Sequence, residues 1–538
     1  MTDDPPPAEA IEGRPVAATL ARAGLVVSAA YLASRLLGYL RVVVIGTTFG
    51  AGPELDAFFA AFRIPDLVFQ LVAAGAVASA LVPIVSGLRA TGDAARAWRI
   101  VSTVANLMLV GLVVLAAAAF VLAPVLVPLI TPGFDDAQLA RTIDLTRLML
   151  VGPILLGLGS VATAALNGSR RFAASALAPI VYNLAIIGAA VLLGPSMGVT
   201  GLAIGVVAGS AAHLLIQLPP LARVGFRYVP RVDLSDGDAR DALVLLAPRA
   251  VGLGATQLIF VVLTALASDL GPGAISAYTI AFALLQIPIG VIGIPLGIVL
   301  FPSLAGELAQ GRVGSYLALI ERGLRVGLFV MLPLAALGMV LRVQVVQLLL
   351  GYGRFGDAAI DLTAATLLMF LIGLPAHAGL DVLSRAFYAR RDTRTPVLGV
   401  VLSMAITIAV ANALVPRLGL PALGLALSTG TWIEAALLAF ILRRREPAFD
   451  LHGIVSVLVR CLVGAGVAAI AAITVLAGWE LVLPGETGKL GILVKAILAT
   501  IAGGLAYVAS SLALRVPELG AMVGTMVEIT RGRVRPAR

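Results

Sequence analysis

The sequence predicts an all-α polytopic membrane protein of about fourteen transmembrane helices. Two six-helix lobes form a parallel repeat, and two C-terminal helices follow them. Composition, the placement of arginine between apolar runs, and an internal repeat carry this prediction. Of 538 residues, 60% are hydrophobic and only 12% are charged, and the mean hydropathy is +1.04. Soluble domains carry about 25% charged residues, so the solvent of this chain is a bilayer. The net charge of +9 is nearly all arginine. It lies scattered in loops, with no basic run interleaved with aromatics of the kind a single-strand nucleic-acid binder needs. Cys461 is the only cysteine, which excludes an intramolecular disulfide and a cysteine metal cluster. His213, His377 and His452 lie far apart in the sequence, so neither a metal nor a cofactor is expected.

In chain order, residues 1–23 are rich in proline, alanine and acid and read as a disordered cytoplasmic tail. Hydropathy then places spans near 24–48, 57–88, 101–130, 142–167, 174–195, 199–222, 241–268, 276–308, 323–350, 360–386, 396–415, 420–442, 455–478 and 489–514. The N-lobe covers 24–222, the C-lobe 241–442 and a two-helix appendage 455–514. A basic cytoplasmic tail covers 515–538. Every second loop holds the arginines: Arg89, Arg96 and Arg99, then Arg170 and Arg171, then Arg390, Arg391 and Arg394. The intervening loops hold almost none, so both termini are expected in the cytoplasm of a multi-pass protein of the cytoplasmic (inner) membrane.

The repeat shows at an offset near 220. LVPIVSGLRATG (81–92) matches LFPSLAGELAQG (300–311), DAFFAAF (56–62) matches SAYTIAF (276–282), and ALNGSRRF (165–172) matches AFYARRDT (386–393). Such an offset spans six helices, an even number, so both copies enter the membrane in the same direction and a substrate site is expected between them. Pro65 and Pro83 interrupt the second span; Pro288 and Pro302 interrupt the eighth. Each removes a helical hydrogen bond and marks a kink suited to gating.

No catalytic constellation emerges: HExxH, P-loop and GxSxG are all absent, and GYGRFG (351–356) reads as a turn. The chain is not expected to be an enzyme. The informative residues are charges inside spans: Arg35, Arg41, Asp56, Arg63, Asp66, Arg147, Arg249, Arg342, Asp381, Arg385, Glu434 and Lys495. Arg63 with Asp66, and Asp381 with Arg385, are spaced to pair on their own helices. Arg35 and Arg41 have no acidic partner on theirs. A guanidinium costs several kcal/mol at membrane depth, so these two are the best candidates to face a cavity and grip phosphate or carboxylate.

SRLLGYLR (34–41), FGAGPELDAFFAAFRIPDL (49–67), AVASALVPIVS (76–86), TPGF (131–134), YGRF (352–355) and SRAFYARRDTRTPV (384–397) resemble the lipid II flippase family, MurJ or MviN. The resemblance runs from the first span to about the twelfth. It implies the MOP exporter fold, two lobes in a V with two extra helices forming a groove for a lipid tail. It also implies alternating-access export of the undecaprenyl-pyrophosphate-linked peptidoglycan precursor. Arg35, Arg41 and Asp56 fall on family positions of functional weight and Arg63 on a commonly basic one, giving a substrate-binding set of four. Val42, Phe69 and Ala283 stand where the family carries charge. The implied partners are the lipid-linked pyrophosphate, membrane lipids and cell-wall synthesis proteins, with coupling to an ion gradient or the membrane potential. Beside this stand a related polysaccharide-lipid flippase or cation-coupled exporter of the same superfamily. From another class stand a membrane glycosyltransferase, which lacks its aspartate-bearing loop here, and a non-transporting scaffold.

Overall fold

Backbone groups in hydrocarbon must be hydrogen-bonded internally, so long apolar runs coil into helices. The computed structural model describes residues 13–72, 76–238, 240, 257–485 and 488–520, and no strand occurs among them. The first half holds α1 (Gly13–Phe49), α2 (Pro53–Val72), α3 (Ala76–Ala90), α4 (Ala94–Ile130), α5 (Asp136–Met149), α6 (Val151–Gly168), α7 (Phe172–Leu192) and α8 (Val199–Leu215). The second half begins with α9 (Gln257–Ser268). It continues with α10 (Ala274–Pro288), α11 (Ile294–Ala309), α12 (Val313–Val340), α13 (Arg342–Leu350), α14 (Asp357–Leu371) and α15 (Leu374–Ala389). It closes with α16 (Arg394–Leu418), α17 (Pro421–Arg445), α18 (Leu451–Val482) and α19 (Lys489–Ala513).

Among the described residues twelve helices, counting continuous pairs as one, are long and apolar enough to cross a membrane, and α14–α15, bent by 44°, makes a thirteenth if it is one span. The described part of α9 is shorter. The first part of the expected seventh span (241–256, with Arg249), residues 1–12 and most of the basic tail (521–538) lie outside the described residues. Two expectations shift. Residues 13–23, assigned to the tail, belong to α1. The ninth span runs over Val313–Val340 rather than 323–350, and Arg342–Leu350 forms a separate helix. The charged turn Glu321–Arg325 had pushed the hydropathy window forward. In the fold it is an ion-paired stretch, with Arg325 2.8 Å from Asp450.

The repeat is written into the backbone. Gly50 and Gly271 (φ +72° and +91°), Gly92 and Gly311 (+85° and +71°), Arg170 and Arg391 (+58° and +59°), and Gly198 and Gly419 (+59° and +61°) all adopt left-handed conformations. Members of each pair lie 219 to 221 residues apart. Left-handed φ is uncommon and mildly costly for a residue with a Cβ, so Arg170 and Arg391 at matching positions are strong evidence for duplicated structure.

The prolines act unequally. Pro65 is buried inside α2, where it leaves the Ala61 carbonyl without its helical donor; the Thr146 hydroxyl donates to that oxygen at 3.4 Å. Pro83 and Pro302 lie inside α3 and α11. Pro288 ends α10, and a single π-helical turn (Ile289–Gly293) follows before α11 resumes. The eighth span therefore carries a π turn at its middle while remaining one continuous helical span, a device frequent at functional sites.

Three large apolar clusters hold the described residues together, and a small fourth joins Leu341 to Ala472, Ala496 and Ala499 of α18 and α19. One belongs to the first half and centres on Trp98, Leu112 and Leu166. Another joins the second half to α18 through Tyr316, Phe387 and Phe449. The third crosses between the lobes at one end, bringing Ile45, Leu55 and Phe58 against Ile275, Tyr278, Leu350 and Phe355.

Candidate functional site

Arg35 and Arg41 are six residues apart on α1, roughly 9 Å of rise and about 120° of rotation, so they reach different walls of one space. That space is a cavity of about 810 Å³ between the lobes, lined by Arg35, Arg41 and Val42 of α1 and Phe59, Phe62, Arg63 and Asp66 of α2. The first half of α7 and the second half of α10 complete its wall, Ala283 among them. Asn167 and Phe172 carry it to the end of the molecule that holds the arginine-rich loops.

The Arg35 guanidinium donates to the Tyr31 hydroxyl at 2.7 and 3.1 Å and stacks over that ring. Arg41 lies over the Tyr182 ring, 5.7 Å from its centroid. Neither has a carboxylate within ion-pair distance among the described residues. Tyrosine faces shield a cation without neutralising it, so both charges remain available to an anion.

Arg63 and Asp66 do not pair with each other as their spacing predicts. Both turn across to the other lobe: Arg63 Nε donates to Thr264 Oγ1 at 3.0 Å, and Gln257 Nε2 donates to Asp66 Oδ2 at 2.7 Å. Polar partners on α9 take both side chains in place of the local pair. Three guanidinium groups and one carboxylate thus face a single cleft, a formal excess of +2 in a partly desolvated space.

Asp56, expected in the same binding set, lies elsewhere. It is 1% exposed at the opposite end of the molecule. Its carboxylate accepts from Gly273 N (2.5 Å), Ser276 N (2.7 Å) and Ser276 Oγ (2.6 Å), which caps the N-terminus of α10 from the other lobe. Free N–H groups and the helix dipole at that terminus both favour a negative charge. Asp56 and Ser276 are counterparts in the repeat, 220 residues apart. Around them the lobes interlock symmetrically. Arg354 N donates to the Thr47 carbonyl at 2.9 Å, and Gly133 N accepts its counterpart role by donating to Ser268 Oγ at 3.2 Å. The GAGPELD, TPGF and YGRF segments thus build a clasp that shuts this end, and GYGRFG is the turn its sequence predicts.

Asp381 and Arg385 lie 3.8 Å apart on α15, as expected from their spacing, and pack against Gly293 and Gly297 of the eighth span. Arg35 and Tyr39 touch the same span at Gly290. Sequence reasoning missed Tyr31, Tyr182, Gln257 and Thr264. Tyr31 stands one turn before Arg35 and Gln257 is polar in an apolar run, so both left a signal; Tyr182 and Thr264 left none.

A cleft between two repeated helical lobes, open toward one end and shut at the other, defines an alternating-access membrane transporter. The family model for lipid II flippase MurJ matches residues 45–493. The lipid II flippase MurJ of Burkholderia cenocepacia is 31% identical over 79% of this chain and 84% of its own length. A probable lipid II flippase MurJ of Rhizobium meliloti is 32% identical, over 77% and 78%. A solved structure of lipid II flippase MurJ in an inward closed conformation superposes with a TM-score of 0.75 at 20% identity, over 91% of this chain and 99% of that one. An inward-facing MATE multidrug transporter of the MOP superfamily reaches 0.62 at 16% identity, over 78% and 95%. The chain belongs to the lipid II flippase MurJ family, and is an integral protein of the cytoplasmic membrane.

Proposed function

We propose that this chain translocates undecaprenyl-pyrophosphate-linked peptidoglycan precursor (lipid II) across the cytoplasmic membrane. The observation that carries the reading is the convergence of Arg35, Arg41 and Arg63 on one cleft, with Asp66 the only carboxylate lining it among the described residues. A pyrophosphate diester carries two negative charges, matching the +2 excess. Guanidinium forks suit its oxygens, and the volume falls in the range of about 300–1,000 Å³ usual for ligand sites.

The arginine-rich loops and both termini lie on the cytoplasmic side, so the cleft receives its cargo from the cytoplasm while the clasp seals the outer face. Export follows when the clasp parts and the cleft closes behind the headgroup. Pro65, Pro83, Pro288 and Pro302 supply the bending points, with the π turn after Pro288 as the softest. Asp56 then acts as the latch of the outer face rather than as a headgroup ligand.

Reconstitution with lipid II in proteoliposomes tests this, with headgroup exposure on the far leaflet followed enzymatically. Arg41→Ala is expected to slow exposure about tenfold, the scale of one lost charge-assisted contact. Transport at the wild-type rate by Arg41→Ala and by the Arg35→Ala/Arg41→Ala/Arg63→Ala triple variant would overturn the assignment.

A further inference from the structure

A second polar pocket, of about 460 Å³, opens at the clasp end between the C-lobe and the two C-terminal helices. Arg342 and Gln344 of α13 form one side of it, and Glu480 of α18 and Lys495 of α19 form the other. Leu368 and Leu476 supply apolar wall. It shares no residue with the central cleft. Topology does not explain its cations, because basic residues concentrate at the opposite end.

Lys495 sits about 9 Å into α19 from the helix start and is 9% exposed. Its ammonium meets Glu480 at 2.9 Å, but the Glu480 side chain is itself 54% exposed, so the pair is open to a competitor on one side. Arg342 donates to the Met339 carbonyl at 2.7 Å and has no carboxylate within ion-pair distance among the described residues. Gln344 Oε1 is buried without a hydrogen-bond donor among the described residues. The pocket thus presents a net single positive charge, two cations that can approach one anion, and one acceptor needing an O–H or N–H. Ile473 on its lining, and Leu481 and Leu490 toward the facing ends of α18 and α19, are exposed, giving acyl chains apolar surface beside the pocket.

We propose that this pocket binds an anionic phospholipid whose phosphodiester headgroup carries a hydroxyl, drawn from the leaflet at the clasp end. The single phosphate charge answers the net +1, the guanidinium and ammonium share its oxygens, and the headgroup hydroxyl donates to Gln344. A zwitterionic headgroup would bring its own ammonium or choline cation against Arg342 and Lys495 and is disfavoured. Occupancy would fasten α18 and α19 to α12 and α13 from the lipid side, next to the segment that continues into the clasp.

The bland alternative is that Lys495–Glu480 merely staples α18 to α19, and Glu480→Gln separates the two. The protein is placed in nanodiscs of phosphatidylcholine, with or without part of it replaced by phosphatidylglycerol. Thermal midpoints are measured, and lipids retained on the released protein are counted by mass spectrometry. Wild type is expected to retain phosphatidylglycerol preferentially and to gain stability from it. Arg342→Gln and Lys495→Gln should each weaken that retention about tenfold, as loss of a charge-assisted contact does. Glu480→Gln should keep or strengthen it, because it removes the competing anion. Midpoints in pure phosphatidylcholine report whether each variant is folded. Equal retention by all four proteins, or parallel loss by Glu480→Gln and Lys495→Gln, would overturn the proposal. So would an equal gain in stability from inorganic phosphate alone.

Discussion

The two ends of the interlobe space are made from one duplicated sequence and behave oppositely. At the clasp end, backbone meets backbone: the Gly353 turn lies on Thr47, the Gly133 turn lies on Ser268, and one carboxylate caps a helix of the other lobe. At the arginine-rich end the same helices leave a cleft of about 810 Å³ lined, among the described residues, by three guanidinium groups and a single carboxylate, Asp66. The clasp is close-packed and nearly two-fold symmetric. The cleft is roomy and, among the described residues, asymmetric, since Arg35, Arg41 and Arg63 all come from the first half. The duplication thus supplies the hinge geometry, while substitutions confined to one copy supply the chemistry.

The comparison breaks most completely at the cleft. Replacing Arg35, Arg41 and Arg63 together by alanine should abolish lipid II binding measured by native mass spectrometry, because each charge-assisted contact is worth roughly 1.5–3 kcal/mol. Arg41→Lys should recover only part of the activity lost in Arg41→Ala, since an ammonium lacks the fork that matches two phosphate oxygens. Full activity in the lysine variant would show that charge alone is read there.

At the clasp the effects are smaller. A Cβ at Gly353 would overlap the Thr47 carbonyl oxygen, and φ at this position is +59°. Gly353→Val should therefore loosen the shut end and lower the thermal midpoint in detergent by a few degrees, the scale of about 1–2 kcal/mol. Gly52→Ala, with nothing within 4 Å of the added Cβ, is the matched control and should leave the midpoint unchanged.

The smallest effect lies outside the membrane. Burial raises the Asp392 carboxyl, but hydrogen bonds from Thr395 and Arg445 prevail and hold it at about 2, below its unfolded value. A depressed folded value stabilises fully above the unfolded one, near pH 4, and the benefit fades as pH falls toward 2. Asp392→Asn should thus lower the midpoint slightly at pH 6, and the difference from wild type should vanish on acidification toward pH 2. A difference that persists unchanged would place the effect elsewhere.

Much of this architecture is legible in the sequence because the bilayer leaves the backbone few choices. Hydropathy marks the spans, and the 219–221-residue offset marks the lobes. Arg35 and Arg41 announce the cleft by being expensive where they stand. What the sequence hides is contact across the lobes. Asp56 reads as one more charge at a span edge, and only the fold shows that its partner is Ser276, its own repeat counterpart. Arg63 and Asp66 read as a local pair because spacing along one helix is visible and the approach of α9 is not. The break after Pro288 was marked by its proline, but a π turn in place of a simple kink depends on how Gly290 and Gly293 meet Arg35 and Asp381.

The central claim is that one carboxylate latches the outer end while the cleft is open to cargo. Asp136 and Asp357, exposed counterparts at the starts of α5 and α14, lie on opposite lobes beside the clasp. Spin labels at cysteines introduced there, with buried Cys461 replaced by alanine, report its opening as a distance distribution. The account predicts a single short distance that gains a longer component, raised about tenfold in population, when Asp56→Asn removes the capping charge. An unchanged distribution in Asp56→Asn, and in Asp56→Ala, would contradict it.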